Sequence, residues 1–464
     1  MILSLFIPDI YLTNWSLASA CAPEYIYPRM ETQYIESLYP LTFRQKDAKI
    51  LGEHLKLRHS VELVGMKHVG ISNFLQFFLY HERIVKTYID PAQKHIFIAV
   101  DLNDLVEKEI FAFWVLTFKR LVDKVEHFAD FNADDKKIIS SLFLNSIQSR
   151  NIFLTLENLR ESIEIIVKNE ILPTIFFIRF DRMKDAVSEE FLANLQGLRD
   201  ATGQKLAFVF TSFRSLDELA PDVFSRKSLS VFSHLMYIKT AGIDDIKVIF
   251  EVFEKRYNIS PTKEVLLKIL ELCGGHVQYL QISLIILNAT FAKGKTVDAA
   301  NLFTTLVRDE RVGLISEEIW DSLTEGERSI VKKVIEHVDF DGDSAALEYL
   351  EETGLVVRDD FGPKVFSTLF EFFVKRFLKS GNGETVDFTK KENLLFGLLL
   401  KNLGQICERE AIISTVWSEY EDMGVSDWTI DQLVARLRTK LQKQKSPYAV
   451  KTVRTRGYRL VEES

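Results

Sequence analysis

The stretch Thr429–Leu460, TIDQLVARLRTKLQKQKSPYAVKTVRTRGYRL, has the sharpest charge pattern in the chain. It holds nine basic residues and a single acidic one, Asp431, so its net charge is +8, whereas the whole chain of 464 residues carries −8. Basic charge concentrated in one segment of an acidic chain is typical of a surface that contacts nucleic-acid phosphates.

The same stretch predicts a helix followed by a basic hairpin. Apolar residues recur at helical spacing from Ile430 to Leu441 and form one face. The opposite face suits a major groove, because it carries small, amide and guanidinium side chains: Thr429, Gln432, Ala435, Arg436 and Thr439, with Arg438 and Lys440 at its margins. After Ser446-Pro447, two short strands separated by a turn that ends at Gly457 predict the hairpin. This order is the arrangement of a winged helix-turn-helix.

Residues 387–461 resemble the DNA-binding domain of OmpR/PhoB-type response regulators. The resemblance is carried, in order, by Phe388-Thr389-Lys390-Lys391-Glu392, Gly404-Gln405-Ile406-Cys407-Glu408, Val416-Trp417, Thr429-Ile430-Asp431, Arg436-Leu437-Arg438 and Gly457-Tyr458-Arg459-Leu460. It implies base and phosphate contacts to double-stranded DNA from the helix and the hairpin, which fall by position on Arg436, Arg438, Thr452, Arg454, Arg456 and Tyr458. One departure is Trp428, which stands where the family usually has an arginine.

Two alternatives to DNA contact remain open for this segment. The basic face could be ordinary solvated surface, or the winged helix could contact a protein. Residues 405–428 favour the second, since they hold six acidic residues against Arg409 alone. Such a patch could meet RNA polymerase, another basic protein or a neighbouring copy in an oligomer.

The middle of the chain alternates apolar strand patterns with helical ones, which predicts a parallel sheet covered on both faces. The predicted strands are Val61–Val64, His95–Val100, Thr174–Phe180, Lys205–Thr211 and Leu229–Ile238. Helices are expected between them, for example over Asp104–His127 and Glu189–Asp200.

The first strand runs into Gly65-Met66-Lys67-His68-Val69-Gly70-Ile71-Ser72. A P-loop reads G-x-x-x-x-G-K-[ST], so Gly65, Gly70 and Ser72 are in place but Ile71 occupies the lysine position. Lys67 could reach a phosphate from within the loop. These four residues, Gly65, Lys67, Gly70 and Ser72, are the candidate nucleotide-binding set. Without the lysine, the charge that neutralises the β- and γ-phosphates is missing.

The third strand and the segments that follow resemble STAND and AAA-type ATPases. The segment Arg179-Phe180-Asp181-Arg182 resembles the end of a Walker B motif, whose two acids align with Ile178 and Arg179. The pair Gly274-Gly275 resembles an element of the helical lid, although a helix C-cap explains it equally well. Residues 317–373 resemble a small winged helix, and its acidic face predicts packing instead of DNA contact. The resemblance therefore implies an ATPase fold without its catalytic residues.

These features predict an α/β fold with a P-loop NTPase-like parallel sheet and a helical lid, followed by two winged-helix domains. The expected division is an N-terminal extension over 1–45, the sheet module over 46–240, the lid over 241–312, the first winged helix over 313–378, a linker over 379–385 and the DNA-binding domain over 386–464. The three cysteines are far apart without ligand spacing, which indicates a reducing cytoplasm and no metal site. No apolar run is long enough to predict a membrane span.

The sequence therefore predicts a cytoplasmic DNA-binding transcriptional regulator with a catalytically degenerate ATPase-like sensor or scaffold. No catalytic residue and no cofactor are expected, although binding of ATP or ADP through Lys67 is left open. The alternatives are an ATP-driven switch that regulates DNA binding, and a protein-interaction adaptor.

Overall fold

The computed structural model describes residues 34–105, 108–223, 233–257, 259–292, 297–339, 345–360, 362–379, 388, 390–417, 427–453 and 456–462. Within these ranges the side chains of 233, 257, 292, 379, 390, 427–429, 432 and 443 are not described. Most of the predicted N-terminal extension and of the linker thus lies outside the described residues.

A five-stranded parallel sheet forms the centre of the first half of the chain. Its strands are β1 (Ser60–Val64), β2 (Lys94–Asp101), β3 (Ile171–Ile178), β4 (Ala207–Ser212) and β5 (Ser233–Tyr237), in the order β2-β3-β4-β1-β5. All five residues of β1 are buried, as expected for a central strand covered on both faces. The five predicted strands are confirmed, except that the first residues predicted for the last one lie outside the described part.

Helices cover both faces of this sheet. They are α1 (Gln45–Lys56), α2 (Ile71–Tyr80), α3 (Ile110–Glu126), α4 (Ala133–Ser149), α5 (Ile152–Lys168), α6 (Glu189–Ala201) and α7 (Leu216–Leu219). The predicted helix from Asp104 begins later, because Leu102–Asp104 forms a separate 3₁₀ turn. The predicted helix from Glu189 begins where expected, since Ser188 caps it by accepting a hydrogen bond from the backbone N–H of Phe191.

One face of the sheet carries an aromatic core. The ring centroid of Phe177 lies 5.0 Å from that of Phe113 in a tilted arrangement, and the ring centroid of Phe191 lies 5.1 Å from it edge-on. The other face belongs to a second core, which also takes in buried residues of the later helical layers as far as Val374. The sheet and the helical layers after it therefore pack as one unit.

Those later layers consist of two groups of elements. The first is α8 (Ile243–Tyr257), α9 (Lys263–Cys273), α10 (Val277–Ala292) and α11 (Ala299–Arg308). The second is α12 (Glu310–Asp321), α13 (Glu325–Glu336), α14 (Ala345–Glu352), the hairpin β6 (Val356–Asp359) and β7 (Gly362–Val365), and α15 (Thr368–Lys379).

Gly274 ends α9 in a left-handed conformation, with its N–H bonded to the carbonyl of Leu270. A Cβ on this residue would lie 1.7 Å from the carbonyl oxygen of Phe366, so a glycine is required. The structure therefore confirms the helix C-cap that was one of the two explanations of Gly274-Gly275.

The C-terminal segment has its own apolar core, centred on Leu395, Ile430, Leu437 and Leu460. Its elements are α16 (Lys390–Lys401), β8 (Cys407–Glu408), α17 (Arg409–Val416), α18 (Asp427–Lys443), β9 (Tyr448–Val453) and β10 (Gly457–Glu462). The last two strands form the predicted antiparallel hairpin, with β8 as a third strand on β10. The helix-and-hairpin prediction is confirmed. None of the helices in the described residues has the length and apolarity needed to cross a membrane.

Candidate nucleic-acid interface and the P-loop-like turn

The apolar face of α18 fixes which of its side chains can point outward. Ile430, Val434, Leu437 and Leu441 are all buried in the C-terminal core, as the helical spacing predicts. Arg436 therefore lies on the side of α18 that faces away from this core.

Arg436 is covered by an acidic helix of the preceding layer. Its Nη1 donates to Oε2 of Glu317 at 2.7 Å, and its Nη2 lies 4.0 Å from Oε1 of Glu318, both on α12. Only 13% of the Arg436 side chain is exposed. Burial raises the pKa of Glu317, and the charge of Arg436 opposes that shift. The residue predicted to read DNA is thus held by carboxylates that would repel a phosphate backbone.

Two further ion pairs surround this contact. Lys391 on α16 lies 3.0 Å from a carboxylate oxygen of Glu310 at the start of α12. Lys440, one turn beyond Arg436, donates to the buried Glu392 at 2.7 Å. The C-terminal domain therefore meets α12 through charged side chains on two of its helices.

Several of the predicted DNA-contacting residues are engaged inside the domain. Arg438 donates from Nε to the carbonyl of Val450 and from Nη2 to Oγ1 of Thr452, both at 2.7 Å, and so ties α18 to the hairpin. Tyr458 is buried and donates its hydroxyl to Asp431, which also accepts from Arg409 at 2.7 Å.

The hairpin presents the exposed part of the predicted surface. Thr452 and Arg456 are exposed, and Arg456 lies 3.6 Å from a carboxylate oxygen of Glu408. Arg454 and the side chains of Thr429, Gln432 and Trp428 lie outside the described residues. The structure thus places Arg436, Arg438, Thr452 and Arg456 on one domain but does not bring them into one open face.

The turn after β1 requires a glycine at position 70. Gly70 has φ +112°, and its carbonyl accepts from Phe74 in the first turn of α2. A Cβ on Gly70 would lie 2.5 Å from Cγ2 of Val277. Ser72 is exposed, and Nζ of Lys67 lies 4.9 Å from the centre of the Phe213 ring.

The start of α10 closes over this turn. Nε2 of the fully buried His276 donates to the carbonyl of Lys67 at 2.9 Å, while its Nδ1 accepts from the backbone N–H of Tyr279. Burial lowers the pKa of His276 to about 3, so the ring is neutral. The turn and the start of α10 are therefore held together by contacts of the His276 imidazole with the backbone.

Arg179, the residue that aligns with the second Walker B acid, takes part in an ion pair. The guanidinium of Arg179 pairs with Asp101 at the end of β2, and its backbone N–H donates to Oγ1 of Thr211 at 2.9 Å. Asp181 lies just beyond; burial raises its pKa, against the charge of Lys67. Asp101 was missed from the sequence, although an acidic residue at the end of a buried strand is a recognisable signal.

A chain of polar and charged side chains joins the turn to the C-terminal helix. Nε2 of His68 lies 2.6 Å from Oε2 of Glu318, whose other oxygen is the one near Arg436. His68 and Glu318 are 250 residues apart, so no local pattern predicts this contact.

Comparison with known proteins assigns the C-terminal segment. Residues 383–460 match the family described as "Transcriptional regulatory protein, C terminal". The transcriptional regulatory protein YxdJ of Bacillus subtilis is 30% identical over 94 residues, which cover 20% of this chain and 40% of that protein. The heme response regulator HssR of Staphylococcus epidermidis is 38% identical over 78 residues, 17% of this chain and 34% of that protein. The chain spans less than half the length of these relatives.

Two solved structures have limited similarity to the chain. A Walker-type ATPase of Pyrococcus abyssi has a TM-score of 0.45 and 16% identity over 74% of this chain and 97% of that one. The ORC2 protein of Aeropyrum pernix has a TM-score of 0.42 and 10% identity over 74% and 96%. Residues 383–460 are therefore similar to the C-terminal domain of transcriptional regulatory proteins, while the first half of the chain is built on a five-stranded parallel sheet.

Proposed function

We propose that this chain is a DNA-binding transcriptional regulator whose C-terminal winged helix contacts duplex DNA. The observation that carries the proposal is the confirmed helix and basic hairpin, over the residues that match the regulator family. Arg436 is the proposed base-reading residue, and Thr452 and Arg456 are proposed to contact phosphates from the hairpin. Arg438 supports them indirectly, since it fixes the hairpin against α18.

The docked position of Arg436 suggests how binding is controlled. DNA cannot reach Arg436 while Glu317 and Glu318 hold it, and the two carboxylates would repel phosphates at the same place. We propose that α12 restrains the DNA-binding domain and that binding requires α18 to leave α12. With a net contribution of about 1 kcal/mol from this largely buried pair, the restraint is about fivefold in affinity and reversible.

The test of DNA binding uses the full-length protein and fluorescently labelled duplexes selected from a random pool. Binding should weaken with salt with a slope of about −0.9 per neutralised phosphate. Arg456→Ala should weaken all sequences to a similar degree and make the salt slope shallower by about one contact. Lys401→Ala is the charge-matched control, because Lys401 is exposed at the end of α16 and belongs neither to α18 nor to the hairpin. Folded protein without a salt-dependent interaction, or equal losses in both variants, would reject the assignment.

We also propose that the sheet module does not hydrolyse ATP. Ile71 replaces the phosphate-binding lysine, and Arg179 with its partner Asp101 occupies the place of the second Walker B acid. Phosphoryl transfer depends on positioned charge, which these replacements remove. Phosphate release with Mg²⁺ and bound DNA should match the buffer blank. Turnover abolished by Ser72→Ala would contradict this and favour an ATP-driven switch.

Ligand-controlled release is the second candidate function, and the contact between His68 and Glu318 favours it. A phosphate group seated at the turn would compete with Glu318 for His68 and so disturb the carboxylates that hold Arg436. ADP and ATP should then raise the affinity for DNA, and Lys67→Ala should abolish that increase. Unchanged DNA affinity at saturating nucleotide would reject ligand-controlled release. The sheet module would then be interpreted as a scaffold that responds to a protein partner.

A further inference from the structure

Three histidines that are far apart in sequence meet at the amino-terminal edge of the sheet. His54 lies in the last turn of α1, His59 just precedes β1, and His234 is on β5. The ring centroids of His54 and His59 lie 4.8 Å and 4.3 Å from that of His234. One ring nitrogen from each of the three lies within 4.8 Å of the others. No sequence motif predicts this histidine cluster.

The main chain, not flexible loops, sets these three positions. The N–H of His59 donates to the carbonyl of His54 at 2.9 Å, which closes the turn after α1. Arg58 holds that turn to the sheet by donating to the carbonyl of Lys205 at 2.7 Å. His234 is paired with Val61 in the ladder between β1 and β5. The site is therefore organised before any ligand arrives.

The spacing of the ring nitrogens suits a metal ion better than a hydrogen bond. Nδ1 of His54 and Nδ1 of His59 are 3.4 Å apart. A hydrogen bond donated by nitrogen is usually about 2.9–3.0 Å long. Two nitrogens bound at about 2.0–2.1 Å to a tetrahedral zinc ion would be about 3.3 Å apart. The observed distance matches the second arrangement.

The charged groups near the rings are of both signs. Glu53 lies near His54 and Arg199 near His59. Burial, and then the neighbouring imidazoles, lower the pKa of His54. The cluster contains no carboxylate, which disfavours the hard cations Mg²⁺ and Ca²⁺.

We propose that His54, His59 and His234 together bind one divalent transition-metal ion, with Zn²⁺ as the best match. Imidazole is a preferred ligand of such ions, and three protein ligands leave a fourth position for water. The ion would link the end of α1 to the strand β5. It lies at the opposite end of β1 from the Gly65–Ser72 turn, so it is a site separate from both the turn and the DNA-binding surface.

The experiment uses untagged full-length protein that has been stripped with a chelator. Titration with Co²⁺ should give the visible absorption of a tetrahedral complex at one ion per chain, and Zn²⁺ should displace it and raise the melting temperature. His234→Ala, at an exposed position, should weaken Co²⁺ binding at least about tenfold and remove the zinc-dependent rise. His234→Cys should restore zinc binding, because thiolate is also a zinc ligand.

His127→Ala is the matched control, since His127 is exposed at the end of α3 and outside the cluster. It should bind Co²⁺ like the unchanged protein. Equal Co²⁺ affinity in folded His234→Ala and in the unchanged protein would overturn the proposal, as would the absence of stoichiometric binding. Circular dichroism of each variant separates loss of the site from loss of the fold.

Discussion

Gly70 shows how a single backbone position joins the sheet module to the layer over it. It has φ +112°, a conformation that residues with a side chain rarely adopt, and Val277 leaves no room for a Cβ. Gly70→Ala should lower the free energy of unfolding by about 1–3 kcal/mol, measured by urea denaturation. Gly313→Ala should instead be neutral or stabilising by up to about 1 kcal/mol, because Gly313 lies in α12 with open space around it. Equal effects would contradict this explanation.

His276 makes stability depend on pH at the residue scale. Its pKa is lowered from 6.5 to about 3 by burial, so between these values the unfolded chain binds a proton that the folded chain does not. Stability should therefore fall as the pH drops below about 6.5, by up to about 1.4 kcal/mol per pH unit from this group. His276→Gln should flatten the slope between pH 6.5 and 5, measured by urea denaturation, whereas His127→Gln at an exposed position should leave it unchanged. An identical slope in all three proteins would show that other groups, such as His95, dominate.

At the scale of elements, Arg214 ties the end of the sheet to α13. Its Nη1 donates to Oε1 of Glu327 at 2.6 Å, and Glu327 also completes the capping box of α13 with Thr324. Arg214→Gln leaves a buried carboxylate without its charged partner, which should cost about 3–5 kcal/mol. Lys94→Gln breaks an exposed pair with Asp130 and should cost less than about 1 kcal/mol. Thermal unfolding of both variants compares them, and a small effect of Arg214→Gln would refute the anchoring role.

The elements were more predictable than the contacts between them. The strands follow from continuous apolar runs such as Ile175–Ile178, and the exposed side of α18 follows from helical spacing. The start of α3 was predicted too early, because the turn at Leu102–Asp104 has no apolar signal of its own. The pairing of Arg436 with Glu317 could not be predicted, since it depends on how the C-terminal domain is placed against α12. The same holds for the histidine cluster, which needs β1 and β5 side by side.

At the scale of the whole molecule, one continuous core joins the sheet to the helical layers, while the C-terminal domain has a core of its own. The ion pairs described between the two parts are Arg436 with Glu317 and Glu318, and Lys391 with Glu310. These ion pairs leave the two apolar cores separate from each other. This division is consistent with the proposal that the C-terminal domain is held against α12 and leaves α12 when it binds DNA.

The central claim is that α12 restrains a DNA-binding surface through Arg436. Its most direct test is a double-mutant cycle on DNA affinity, with Glu317→Gln/Glu318→Gln as one change and Arg436→Ala as the other. Glu325→Gln/Glu336→Gln removes the same charge from exposed sites on α13 and serves as the control. The account predicts that the α12 change tightens binding about fivefold when Arg436 is present, and no more than the control does when it is absent. Equal tightening by the α12 change and the control in the presence of Arg436 would contradict the restraint.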